Sequence, residues 1–120
     1  HTKTSREFLH FWDKGELMHV DNKTLISQGE NQENLMLVLN GTAEVIRNDK
    51  KIATLERGQF IAEISYITGK PASADVLVSN DLTYYIWDKK SLSELRKKNS
   101  NIMRKLDHIL TLDMAGKLIR

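Results

Sequence analysis

Between Leu17 and Trp87 the chain is cut into short β-prone runs by turn residues, and this rhythm constrains the fold more than any other feature. Leu17–Val20, Thr24–Ser27, Leu35–Leu39, Thr42–Arg47 and Lys51–Leu55 read as strands, separated by Asp21-Asn22-Lys23, Gly29, Asn40-Gly41 and Asn48-Asp49. Gly and Asn tolerate the left-handed backbone that tight turns need. Asn-Gly is the strongest short hairpin signal, so a hairpin is predicted at Asn40-Gly41. Leu35–Leu39 is apolar throughout, which predicts a strand buried on both faces. Beyond an interruption that opens at Gly58, Ala74–Ser79 and Leu82–Trp87 form two more strands about Asn80-Asp81. This spacing favours an antiparallel roll over a parallel sheet, and predicts a mainly β fold: an antiparallel β-roll of double-stranded β-helix or jelly-roll type over residues 15–88.

Helices flank the roll. Thr4 followed by Glu7 fits a capping box, and Phe8, Leu9, Phe11 and Trp12 give an amphipathic helix over residues 5–12. After Asp88 the pattern turns helical again, with residues 89–98 as one helix and Ser91–Glu94 as a second capping-box fit. Asn99 and Ser100 offer a cap for a last helix over residues 101–118, whose apolar positions are Ile102, Met103, Leu106, Ile109, Leu110, Met114 and Leu118. No linker or repeat divides the chain, so residues 1–120 read as a single domain, and the His1 start suggests a piece of a longer protein.

Several function classes are disfavoured. A net charge of +2 is too small for nucleic-acid binding by bulk electrostatics. The basic residues Lys89-Lys90, Arg96–Lys98 and Arg104-Lys105 fall at helical spacing beside Glu94 and Asp107, as on a solvated face. The chain has no cysteine, which favours a cytoplasmic setting, and no apolar run long enough to span a bilayer. His1, His10, His19 and His108 have no metal-site spacing, and no nucleophile motif or P-loop is present, so neither a metal nor catalysis is expected.

The interruption itself, residues 58–76, reads Gly58-Gln59-Phe60-Ile61-Ala62-Glu63-Ile64-Ser65-Tyr66-Ile67-Thr68-Gly69-Lys70-Pro71-Ala72-Ser73-Ala74-Asp75-Val76. It resembles the phosphate-binding cassette of the cyclic nucleotide-binding domain family, of the catabolite-activator-like kind, whose pattern runs roughly G-x-x-F-G-E-[LI]-[AS]-x-[LI]-x-x-x-P-R-[AS]-A-x-V. The family's order of elements, a β-roll between an N-terminal helix and two C-terminal helices, matches the whole chain. The resemblance implies a regulatory sensor with cyclic AMP or cyclic GMP as ligand, no cofactor and no catalysis. The implied ligand-binding residues are Ala62, Glu63, Ile64, Ala72, Ser73 and Ala74.

The carry-over is uneven. Glu63 matches the acidic residue, which would accept from the ribose 2′-hydroxyl. Ser73 carries a hydroxyl that can donate to a phosphate oxygen, and the short helix predicted from Ala62 to Ile67 has N–H groups at its start. Ala62 stands where the family has Gly. Ala72 stands where it has Arg, and losing such a charged partner costs about 2–5 kcal/mol, so weak binding is expected. Lys70 is cationic but lacks the fixed fork of a guanidinium.

The C-terminal half, Leu82–Leu92 and Asp113–Leu118, also resembles Popeye-domain proteins, membrane proteins that lack the usual cassette Arg. Their D-S-P-E and F-Q-V-T motifs are replaced here by Ile61–Ile64 and Ala74–Leu77. That resemblance implies membrane helices in the full-length protein. Three functions stay open: a sensor relaying ligand binding through the C-terminal helices, an interaction or homodimerisation module that kept the fold and lost the ligand, and the sensor half of a transcription regulator.

Overall fold

The computed structural model describes residues 11–98, 101 and 103–110. Among the described residues, eight strands form two antiparallel sheets. One has the order β1 (Glu16–Val20), β8 (Leu82–Trp87), β3 (Leu35–Gly41), β6 (Phe60–Ile61), and the other β2 (Lys23–Ile26), β7 (Asp75–Val78), β4 (Ala43–Arg47), β5 (Lys50–Leu55). Consecutive strands mostly alternate between the sheets, which is the β-roll expected. Besides the helical residues 11–13, the described residues include α1 (Glu63–Thr68), α2 (Lys89–Lys98) and α3 (residues 103–110).

The apolar run of β3 explains the layering. Met36 and Val38 point between the sheets, into a cluster with Ile26, Ala43, Leu55, Ile61, Val76, Val78, Leu82 and Tyr84. Leu35 and, in part, Leu37 point the other way, into a second cluster with Phe11, Phe60, Trp87, Leu92, Leu95, Met103, Leu106 and Leu110. The strand is thus buried on both faces, one against the opposite sheet and one against the helices. Period-2 alternation repeats this on β8, where Leu82 and Tyr84 face inward and Trp87 faces the helices.

Residues 11–13 are helical and end in a turn; the rest of the helix expected over residues 5–12 lies outside the described residues. Its last carbonyls, which lack intrahelical donors, are taken by the sheet: Trp87 Nε1 donates to Phe11 O at 2.6 Å and Tyr85 Oη to Trp12 O at 2.6 Å.

Two expectations are corrected. Asn40-Gly41 is not a hairpin turn, because β3 and β4 belong to different sheets. Asn40 and Gly41 instead pair with Thr83 and Leu82 at the end of β3. Gly41 is needed there for its φ of +90° and because a Cβ would lie 2.2 Å from Asp81 O. The tight hairpin falls at Asn48-Asp49, where both residues have positive φ, 52° and 65°, as a type I′ turn demands. Second, Ser91 does not cap α2: Asp88 Oδ1 accepts its N–H at 2.7 Å, so Asp88 is the cap and Ser91 lies within the first turn. As expected of an amphipathic helix, α3 buries Met103, Leu106 and Leu110 within the chain, while Ile109 is 43% exposed. The remaining positions named for that helix, Ile102, Met114 and Leu118, lie outside the described residues.

Candidate functional site

The site is built where the roll is interrupted. Gly58 turns the chain into β6, its N–H bonded to Val38 O at 2.9 Å. Phe60 and Ile61, held against Leu37 and Met36 of β3, set the position of the next residue. Ala62 then adopts φ 61°, ψ 28°, the left-handed region. An L-residue there costs roughly 1–2 kcal/mol relative to right-handed backbone, which accounts for the family's Gly at this point. The kink turns the chain at once into α1, with Glu63 its first residue.

Glu63 is only 2% exposed. It is therefore not a solvated carboxylate at a helix start, and burial of a charge-bearing group at this cost needs fixed partners. Ile64 is half-buried beside it. α1 ends after six residues at Gly69, in left-handed conformation, whose N–H bonds Ser65 O at 2.8 Å.

The other wall is the entry to β7. Ala72 is pinned at both backbone groups: its N–H donates to Glu30 O at 2.8 Å and its carbonyl accepts from Gly29 N at 2.7 Å. Its methyl is 7% exposed and packs in the inter-sheet cluster, with Ala62 against the same cluster. The two flanks of the cassette thus border the same inter-sheet cluster. Ala74 is 6% exposed and Ser73 is exposed.

Ser73 has a partner that the sequence did not reveal. Arg47, at the end of β4, donates from Nε to Ser73 O at 3.1 Å and from Nη2 to Ser73 Oγ at 3.0 Å. β4 pairs with β7 through Glu44–Leu77, Val45–Val76 and Ile46–Asp75, so Arg47 reaches a residue distant in the chain but adjacent in the sheet. No local motif signals this contact. Lys70 is exposed on the loop after α1.

α1 also touches the C-terminal helices. Arg96 of α2 donates to Asp107 Oδ2 of α3 at 3.2 Å and, at 3.4 Å, to Tyr66 Oη of α1. Burial pushes the Tyr66 phenol up, and the bond from Arg96 opposes that shift. The Arg96 guanidinium is held above its usual value, chiefly by its bond to Asp107. A cavity of about 400 Å³ lies at this joint, lined by Tyr66, Ile67, Lys89, Leu92, Arg96 and Asp107 among others. It is not lined by the six residues implied by the cassette pattern.

Known proteins share this fold. A family model described as the cyclic nucleotide-binding domain matches residues 19–99, more than half of the chain. The chain belongs to the cyclic nucleotide-binding domain family. A cyclic nucleotide-binding domain from Methylobacillus flagellatus KT superimposes with TM-score 0.87 at 22% identity, over 94% of this chain and 67% of that one. The catabolite activator protein of Thermus thermophilus gives TM-score 0.78 at 17% identity, over 95% of this chain and 56% of its own. A regulatory subunit of a cAMP-independent protein kinase A from Trypanosoma cruzi, bound to guanosine, gives 0.61 at 17% identity, over 68% of this chain and 30% of that subunit. This cyclic nucleotide-binding domain therefore spans little more than half of the activator chain and less than a third of the kinase subunit.

Among the described residues there is no group of acidic, His or Cys side chains fit to hold a metal, and no helix long and apolar enough to cross a membrane. The Popeye-like segment Asp113–Leu118 lies outside the described residues.

Proposed function

We propose that this domain is a regulatory sensor that binds a cyclic nucleotide, cyclic AMP or cyclic GMP, at the cassette, and relays occupancy through its C-terminal helices. The observation that carries the reading is Glu63. A carboxylate 2% exposed at the head of α1, in a cassette whose other flank is pinned through the Ala72 backbone, supports an acceptor for a ribose hydroxyl. Ser73 supplies a hydroxyl donor, and Ala62, Ile64 and Ala74 shape the walls. With Ala72 in place of Arg, the affinity falls by roughly 30-fold to several-thousand-fold relative to a site with the full charged contact.

The relay runs through Tyr66, Arg96 and Asp107. Arg96 joins all three helices, and both side chains of the Arg96–Asp107 pair are about half exposed, 51% and 45%. Such a pair is worth about 0–1 kcal/mol. That suits a latch that ligand binding opens or closes by shifting a population.

A second reading has its own support. The Ala72 methyl fills space in the inter-sheet cluster, as in a module that kept the fold and uses its surface for partner docking. Two-dimensional NMR titration with cyclic AMP and cyclic GMP to millimolar levels separates the two. Saturable shifts at Glu63, Ser73 and Arg96 support the sensor. Their absence for both nucleotides makes docking the leading reading.

A further inference from the structure

The cation that the cassette lacks in sequence has a counterpart in space. We propose that Arg47, delivered from β4, binds the anionic group of the ligand at this site, a cyclic phosphodiester in the reading above, on which this inference rests. The β4–β7 register runs Val45–Val76 and Ile46–Asp75, so its next step sets Arg47 opposite Ala74. Val45 and Val76 face the interior cluster. Arg47, exposed at the end of β4, thus reaches the bend before β7, where it meets Ser73 between the buried Ala72 and Ala74.

The guanidinium is fixed. Two of its N–H groups bind one residue, Ser73, through the carbonyl at 3.1 Å and the hydroxyl at 3.0 Å. An arginine has five N–H donors, so three remain for a ligand. Its charge is also uncompensated: Lys14, Lys51, Lys89 and Arg96 each pair with a carboxylate, and no such pair forms at Arg47 among the described residues. A planar fork with spare donors is the arrangement that recognises phosphate oxygens bidentately. Ser73 Oγ accepts from Arg47 and still has its own proton to donate, so guanidinium and hydroxyl converge on one anion.

The test is calorimetric titration of the wild-type domain, Arg47→Gln and Arg47→Lys with cyclic AMP, cyclic GMP and adenosine, the last lacking the charge. Arg47→Gln is expected to weaken both cyclic nucleotides by about tenfold or more, the loss of a charged hydrogen bond, and to leave adenosine unchanged. Arg47→Lys falls between. Unchanged adenosine binding also reports that the pocket is intact. If the wild type binds cyclic AMP and Arg47→Gln binds it equally well, the role of Arg47 is overturned and the sensor reading stands. If the wild type binds neither cyclic nucleotide, both fall together. An equal loss for adenosine and cyclic AMP also overturns the proposal, because it marks Arg47 as a structural prop for Ser73.

Discussion

Ala72→Arg sets two effects of opposite sign against each other. The methyl it replaces is 7% exposed in the inter-sheet cluster, and both backbone groups at this position are held by Gly29 and Glu30. The backbone cannot step aside, so the new side chain must overpack the cluster or run toward the mouth of the roll. Overpacking costs about 1–3 kcal/mol, and the cation adds a desolvation cost unless its head reaches water. A domain with about 5–15 kcal/mol of stability still folds. In the bound state the guanidinium gains a charge-assisted contact of about 2–5 kcal/mol. Since Arg47 already stands beside Ser73, the gain belongs at the low end, about 30-fold in Kd. Cyclic AMP at about 100 times Kd then returns about 2.7 kcal/mol of stability. Thermal unfolding with and without cyclic AMP, beside calorimetric titration, reads both effects: a lower Tm than wild type without ligand, and a larger rise with it. A folded variant with unchanged affinity for both nucleotides refutes the reasoning, because a missing cation would then not be what limits the site.

Other outcomes follow from single contacts. Gly41→Ala should lose about 3 kcal/mol or more in urea unfolding, since it adds left-handed strain to a Cβ 2.2 Å from Asp81 O; a loss under about 1 kcal/mol contradicts the close approach. Arg96→Ala should change stability by no more than about 1 kcal/mol, yet raise the Tyr66 phenol further in a spectrophotometric titration, because its hydrogen bond holds that value down. A Tyr66 titration that does not move would remove Arg96 from the latch. Asp88 is held below the usual carboxylate value chiefly by the Ser91 N–H. Its contribution is therefore present above the unfolded value and lost as pH falls through the lowered one. Asp88→Ala should flatten that part of an acid-unfolding curve followed by circular dichroism, and an unaltered curve would rule out the cap.

Much of the roll was legible because strand identity is local. Alternation and β-propensity marked Leu82–Trp87 without error, and the uninterrupted apolar run at Leu35 marked a strand covered on both sides. Pairing is not local. Asn40-Gly41 carries hairpin chemistry, but a Gly with positive φ serves equally where two backbones press together, and the sequence of a turn does not say in which sheet the next strand lies. Asn48-Asp49 carries a weaker signal and makes the tight hairpin. The cap of α2 was misread for a similar reason. Ser91 and Asp88 are both good capping residues, and only the chain's exit from β8 places Asp88 first.

The same distinction governs the site. A cassette is a contiguous word, so the sequence can show that Glu63 matches the acidic residue of the pattern and that Ala72 stands where the pattern has Arg. It cannot show what stands nearby in space. Arg47 carries no motif of its own and sits at the solvent end of an ordinary strand; only the register of β4 on β7 brings it to Ser73. An anion feels distance and orientation, not chain order. A guanidinium from the neighbouring strand can therefore serve where one from the same loop is absent, though it approaches from another direction and with some of its donors already engaged. On the reading proposed above, those two differences, together with the absence of an arginine at position 72, are what the Arg47 and Ala72 variants measure.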